Sequence, residues 1–126
     1  MKKLLAATAA SALFAGMANA ADVKIGILYG FTGPIESLTG SMAAASEAAI
    51  AEVNASGEFM DGTKVVGIRA DSTCIDSAAA TAAAEKLVTS DGVSGILGAD
   101  CSGVTGAVLS NVAVPNGIVM ISPSAT

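Results

Sequence analysis

The sequence predicts an α/β fold in which a parallel four-stranded sheet lies between two layers of helices. Short apolar runs alternate with longer segments whose apolar residues recur at helical spacing, in the order β-α-β-α-β-α-β. The first strand-like run, 23–28, is apolar on both sides, as a strand buried on both faces requires. The links are short, so right-handed crossovers give a three-layer arrangement, for which 2-1-3-4 is the commonest strand order.

The first half of the chain predicts two strands and one helix. A strand is expected over residues 23–28, and turn residues at 29–34 end it. A helix is expected over 38–54 and a second strand over 64–70. The helix residues expected to face the sheet are Met42, Ala45, Ala49, Ile50 and Val53.

The second half predicts two helices and two more strands. In chain order they are a helix at 78–90, a strand at 93–97, a helix at 104–114 and a strand at 118–121. Asp76 or Ser77 is placed to cap the first of these helices. The cluster Pro115-Asn116-Gly117 is expected to end the second helix before Pro115. The residues of 78–90 expected to face the sheet are Ala80, Ala83, Ala84, Leu87 and Val88.

The first twenty residues have the pattern of a secretory signal peptide. Two lysines precede an apolar run at 4–17, and Ala18-Asn19-Ala20 is a small-x-small cleavage site. We therefore expect cleavage after Ala20 and export of residues 21–126. A membrane anchor is the weaker interpretation because a spanning helix needs about 20 apolar residues.

The composition of the exported part argues against several functions. Four basic residues stand against eleven acidic ones, so the net charge of −7 disfavours nucleic acid as a partner. The chain has no histidine, the commonest general base and zinc ligand, so we expect no enzyme activity and no metal or cofactor. Asp71, Asp76 and Asp100 lack the spacing of a calcium loop and are expected to be solvated loop caps.

The junction at residues 98–106 is the candidate ligand site. Small residues there join a buried strand to a helix, so backbone N–H groups and the positive end of the helix would face a carboxylate or another anion. Ser102 is placed to cap this helix, to contact the bound anion, or to do both.

Cys74 and Cys101 follow two strands of the predicted sheet and are expected to form a disulfide, because exported chains seldom keep free thiols. In a 2-1-3 order their strands lie roughly 10 Å apart. A disulfide needs Cα atoms within about 7 Å, so both loops must lean over the first strand. Two unrelated buried thiols remain the alternative.

Several of these segments together resemble the periplasmic leucine/isoleucine/valine-binding proteins of ABC transporters. The resemblance covers residues 21–126. The segments that carry it are Val23-Lys24-Ile25-Gly26, Thr32-Gly33-Pro34, Cys74, Cys101-Ser102 and Ile121-Ser122-Pro123-Ser124-Ala125-Thr126. It implies that residues 21–126 are an incomplete N-terminal lobe of a two-lobe protein that closes over its ligand.

The resemblance also implies roles for four residues. Ser102 would bind the ligand carboxylate with backbone N–H groups at Thr126 and the helix start. The Ser124 carbonyl and the Thr126 hydroxyl would bind the ammonium group, and Ser124 replaces the alanine of the best-known members. Leu38 stands where those members place a tyrosine over the ligand side chain.

The function implied is that of a monomeric periplasmic protein that delivers a branched-chain or other neutral amino acid to an ABC permease. One alternative keeps the fold but binds a small amide, urea or another small solute, for a transporter or a receptor. An exported α/β enzyme fragment is the alternative of another class.

Overall fold

The parallel sheet contains strands β1 (Val23–Tyr29), β2 (Val65–Asp71), β3 (Gly95–Gly98) and β4 (Val119–Ile121). In this computed structural model, which describes residues 21–60 and 62–126, the strand order is β2-β1-β3-β4. Ile27 of β1 lies opposite Arg69 on one side and Leu97 on the other. Parallel pairing and strand order confirm the predicted fold class. The predicted signal peptide, residues 1–20, lies outside the described residues.

The helices are α1 (Glu36–Ser56), α2 (Ser77–Lys86), α3 (Ser102–Val108) and α4 (Val114–Asn116). A π-helical segment, Leu87–Asp91, extends α2, and another, Leu109–Ala113, joins α3 to α4. None of the helices within the described residues is long and apolar enough to cross a membrane.

Two helix boundaries bear on the predictions. Asp76 caps α2, because its Oδ1 accepts hydrogen bonds from the N–H groups of Ala78 (2.9 Å) and Ala79 (3.0 Å). The prediction that the last helix ends before Pro115 is wrong. Pro115 lies in α4, which continues the helical path directly after the π-helical segment Leu109–Ala113. The helical path ends instead at Gly117, which has a left-handed φ of 66°.

Alternate residues of β1 face two separate cores. Ile27 and Tyr29 pack against Ala43 of α1, whereas Leu28 packs against the layer formed by α2 and α3. The helices therefore cover opposite faces of the sheet. In α2 and its extension the expected sheet-facing positions are confirmed, with Ala80, Ala84 and Leu87 fully buried.

The predicted face of α1 is only partly right. Met42 and Ile50 pack on the sheet, but Ala45, Ala49 and Val53 are exposed. Alanine is frequent on both sides of this helix, so its spacing does not fix which side is buried. The buried line instead contains Thr39 and Ala43.

One part of the sheet on the α1 side carries no helix within the described residues. It is an apolar hollow of about 320 Å³ over β3 and β4. Val119 and Ile121 on this surface are 66% and 64% exposed. α1 packs mainly on β1 and β2, so among the described residues no helix covers this half of the face.

Candidate functional site

The loops that follow the four strands meet at the carboxyl edge of the sheet, here called the rim. The disulfide between Cys74 and Cys101 joins the loops after β2 and β3, with a Cα–Cα distance of 5.2 Å. This distance is close enough because both loops lean over the end of β1. Thr73 and Cys74 have positive φ values of 57° and 70°, which turn the loop after β2 toward its neighbour.

Asp100 is the buried polar centre of the rim, with 4% of its surface exposed. Its Oδ2 accepts a hydrogen bond from the N–H of Gly30 after β1 (2.8 Å). Its Oδ1 accepts one from the hydroxyl of Ser72 at the end of β2 (3.1 Å). The expectation that Asp100 is a solvated cap is therefore wrong: partners from two other loops surround it.

Asp71 ties the loop after β1 to the loop after β2. Its carboxylate accepts hydrogen bonds from the Thr32 hydroxyl (2.6 Å), the Thr32 N–H (3.3 Å) and the Thr73 N–H (2.8 Å). Desolvation raises the pKa of Asp71. The hydrogen bonds outweigh it, led by that of the Thr32 hydroxyl, and hold the pKa below its ordinary value.

The lowered pKa of Asp71 predicts how Thr32→Val will behave. Because the pKa is lower in the folded state, this carboxylate stabilises the fold above the ordinary aspartate pKa. That contribution is lost as the pH falls through the folded pKa. Removing the Thr32 hydroxyl should raise the pKa of Asp71, measured by NMR titration of its carboxyl carbon. Thr32→Ser keeps the hydroxyl and should titrate like the parent; equal curves for all three proteins would contradict this assignment.

Ser102 lies at the start of α3 and faces the end of the described chain. Its hydroxyl oxygen accepts a hydrogen bond from the N–H of Thr126 (3.1 Å). The expectation that Ser102 caps the helix is wrong: Cys101 occupies the cap position, and no side chain there accepts a capping bond. Since a hydroxyl has one donor and two acceptor sites, the Ser102 O–H stays available to a ligand.

The loop after β4 is fastened to the same junction by two serines. The Ser122 hydroxyl donates to the carbonyl of Ala99 (2.5 Å), and the Ser124 hydroxyl donates to the carbonyl of Asp100 (2.7 Å). The Ser122 oxygen also accepts the N–H of Ala125 (2.8 Å). These bonds hold the chain up to Thr126 against the start of α3.

An open hollow of about 340 Å³ lies beside this junction. Its rim end is polar and contains Ser102, Ser122 and Thr126, whereas Leu109 and Met120 form an apolar wall further down. A polar end that meets an apolar wall suits a small molecule with a charged head and an aliphatic body.

The predicted ligand residues lie at the rim but do not all line this hollow. Ser102 and Thr126 line the hollow and are joined by their hydrogen bond. Ser124 does not line it, and its hydroxyl donates to the carbonyl of Asp100. Leu38 lies in the first turns of α1, 59% exposed, and is not part of the hollow wall. Leu109 and Met120 were not predicted as site residues, because their apolar spacing in a helix and a strand is that of ordinary core residues.

Metal ligands do not gather at this site in the described part of the chain. No group of three or more histidine, cysteine, aspartate or glutamate side chains there has a metal-binding arrangement. The carboxylates of Asp71 and Asp100 instead accept hydrogen bonds from neutral N–H and hydroxyl groups of the neighbouring loops.

Parallel strands, a ligand-sized hollow and polar loops at the carboxyl rim define an α/β binding domain. The chain belongs to the periplasmic binding protein family, which matches residues 22–126.

Similar proteins come from several bacteria. The chain is 40% identical over 104 residues to Leu/Ile/Val-binding protein homolog 7 of Brucella melitensis, which is 82% of this chain and 25% of that one. It is 36% identical over 125 residues to the Leu/Ile/Val/Thr-binding protein of Salmonella typhimurium, covering 99% of this chain and 33% of that one.

A solved structure shows the same fold. It is the branched-chain amino acid transporter substrate binding protein of Streptococcus pneumoniae in complex with isoleucine, with a TM-score of 0.74 and 31% identity. The match covers 83% of this chain and 29% of that one. The chain thus spans a quarter to a third of the length of these relatives, whose names describe binding proteins and not enzymes.

Proposed function

We propose that this chain is the first part of an exported solute-binding protein that carries a branched-chain or other neutral amino acid to an ABC permease. The observation that carries the proposal is the junction between Ser102 and Thr126, which forms the polar end of a hollow with an apolar wall. Relatives whose names specify leucine, isoleucine and valine support the same ligand class.

The rim offers complementary groups to both charges of an amino acid. The Ser102 hydroxyl donates to the ligand carboxylate while its oxygen keeps the Thr126 N–H. The backbone carbonyl of Ser124 and the Thr126 hydroxyl accept from the ammonium group. Leu38, exposed near the same rim, is available to an aliphatic ligand side chain.

The proposed mechanism is closure of two lobes over the ligand, with residues 21–126 as part of the first lobe. The second lobe supplies the remaining contacts, and the closed monomer docks on an inner-membrane permease. Cleavage after Ala20 releases the protein into the periplasm. The proposed function involves no catalysed reaction, because main-chain dipoles and hydroxyl groups hold the ligand without reacting with it.

Calorimetry on the whole protein tests the ligand class. Leucine, isoleucine and valine should each release or absorb heat on binding, whereas a small amide and urea should not. Binding of only the amide or urea would replace the proposed ligand with the alternative one. No heat from any of these solutes would overturn the proposal.

Ser102→Ala should weaken amino acid binding in the whole protein. The variant loses a hydrogen bond to a charged carboxylate, which contributes about 1 to 3 kcal/mol, or roughly 5- to 150-fold in Kd. Calorimetric titration with leucine measures the change. Ser110→Ala, an exposed serine outside the hollow, serves as the matched control and should stay within about 0.5 kcal/mol. Equal affinities for the two variants would remove Ser102 from the site.

A further inference from the structure

Asp100 is a buried carboxylate whose side-chain partners are neutral. Gly30 and Ser72 donate the hydrogen bonds that it receives, and Ser72 is itself fully buried. A buried carboxylate is costly unless hydrogen bonds satisfy it, so these two donors hold it in one place. The donors lie 70 and 28 residues away along the chain, in the segments after β1 and at the end of β2.

The main chain of the same residue holds a further segment. The Asp100 carbonyl accepts the Ser124 hydroxyl (2.7 Å), which belongs to the loop after β4. Asp100 itself lies in the loop after β3, between Gly98 at the strand end and Cys101 of the disulfide. One residue therefore joins segments that follow all four strands, and Ser102 comes two positions later.

We propose that Asp100 is a positioning residue for the ligand site. Its carboxylate fixes the loop after β3 over the end of β1, and its carbonyl fixes the loop that leads to Thr126. The Ser102 hydroxyl oxygen and the Thr126 nitrogen are thereby held 3.1 Å apart. The ligand-binding part of this inference rests on the proposed function, whereas the loop-positioning part does not.

The chemistry of the partners allows a discriminating pair of substitutions. In Asp100→Asn the amide oxygen can still accept the Gly30 N–H. Its NH₂ group can donate to Ser72, because a hydroxyl also accepts. In Asp100→Ala both bonds disappear and two buried polar groups lose their partner. The asparagine variant should therefore rescue what the alanine variant loses.

The experiment compares these variants in the whole protein by amide hydrogen exchange and by calorimetric titration with leucine. In Asp100→Ala, exchange at the Gly30 amide should rise at least about 10-fold and leucine should bind at least about 10-fold more weakly. Asp100→Asn should stay within about threefold of the parent in both measurements. Ser72→Ala, which keeps the Gly30 bond, gives a milder variant in case Asp100→Ala does not fold, and its Kd for leucine should rise about threefold or more.

Val108→Ala is the control for a purely structural effect. Val108 is the last residue of α3, is fully buried in the core and is not part of the hollow, so this variant should lose stability without changing the rim. Its leucine affinity and Gly30 exchange, measured under conditions where it stays folded, should match the parent. If Val108→Ala weakened leucine binding as much as Asp100→Ala, the positioning role would be overturned. Parent-like exchange at Gly30 in Asp100→Ala would overturn it as well, and so would a parent-like Kd for leucine in Ser72→Ala.

The two measurements separate this inference from the proposed function. If the parent protein binds no leucine, the proposed ligand class fails, and the exchange data alone decide whether Asp100 positions the loop. If the parent binds leucine and Asp100→Ala binds it equally well, the proposed function stands and the positioning role fails.

Discussion

Replacement of Gly98 by alanine is expected to destabilise the protein by about 3 to 5 kcal/mol, the sum of a strained backbone and a steric clash. Gly98 ends β3 with a φ of 135°, a region that residues with a Cβ rarely adopt. An added Cβ would overlap the carbonyl oxygen of Leu28 in the neighbouring strand β1. Because the obstacle is backbone within a paired strand, no side-chain rotation relieves it. Urea denaturation of the whole protein measures the loss.

The control for this substitution is Gly40→Ala. Gly40 lies in α1, and an added Cβ there meets no atom within 4 Å. Alanine is the better helix former by roughly 0.5 to 1 kcal/mol, so this variant should be slightly more stable than the parent. Stability of Gly98→Ala within about 1 kcal/mol of the parent would contradict the close approach of β3 and β1 at this point.

Removal of the disulfide by replacing Cys74 and Cys101 with alanine is expected to cost about 3 to 4 kcal/mol. The bond joins residues 27 positions apart in the sequence, and a cross-link of that span restricts the unfolded chain by roughly this amount. Urea denaturation of the oxidised parent and the double variant measures the difference. Leucine affinity should also fall, because Cys101 precedes Ser102.

The double variant also provides its own control for the disulfide. Reductant should lower the stability of the parent toward that of the double variant. The double variant lacks this bond, so reductant has no such bond to break in it. Equal stability of the oxidised parent and the double variant would show that the bond contributes nothing to the fold.

The strands were predictable because each carries its own local signal, and their order followed because 2-1-3-4 is the commonest layout for this succession of elements. The run 118–121 is apolar at every position and lies between turn residues at 115–117 and 122–123, which predicts a buried strand without tertiary information. The proximity of Cys74 and Cys101 followed from the same topology, since both come after strands that flank β1.

Three other features were not predictable from the local sequence. A lone aspartate between a strand and a helix resembles a solvated cap, and the burial of Asp100 arises only from Gly30 and Ser72, far away in sequence. The buried face of α1 was obscured because alanines occupy its exposed side as well. The helical path through Pro115 depends on the π-helical segment before it, for which the sequence carries no clear sign.

The cysteine pair also has a consequence for the export that we propose. No other cysteine lies between Cys74 and Cys101 in the sequence. A polypeptide threaded outward from its N-terminus, as we propose for this one, presents the two sulfurs to an extracytoplasmic oxidase one after the other. Oxidation in order of emergence then creates the native cross-link directly, so this pair does not depend on an isomerase to correct it.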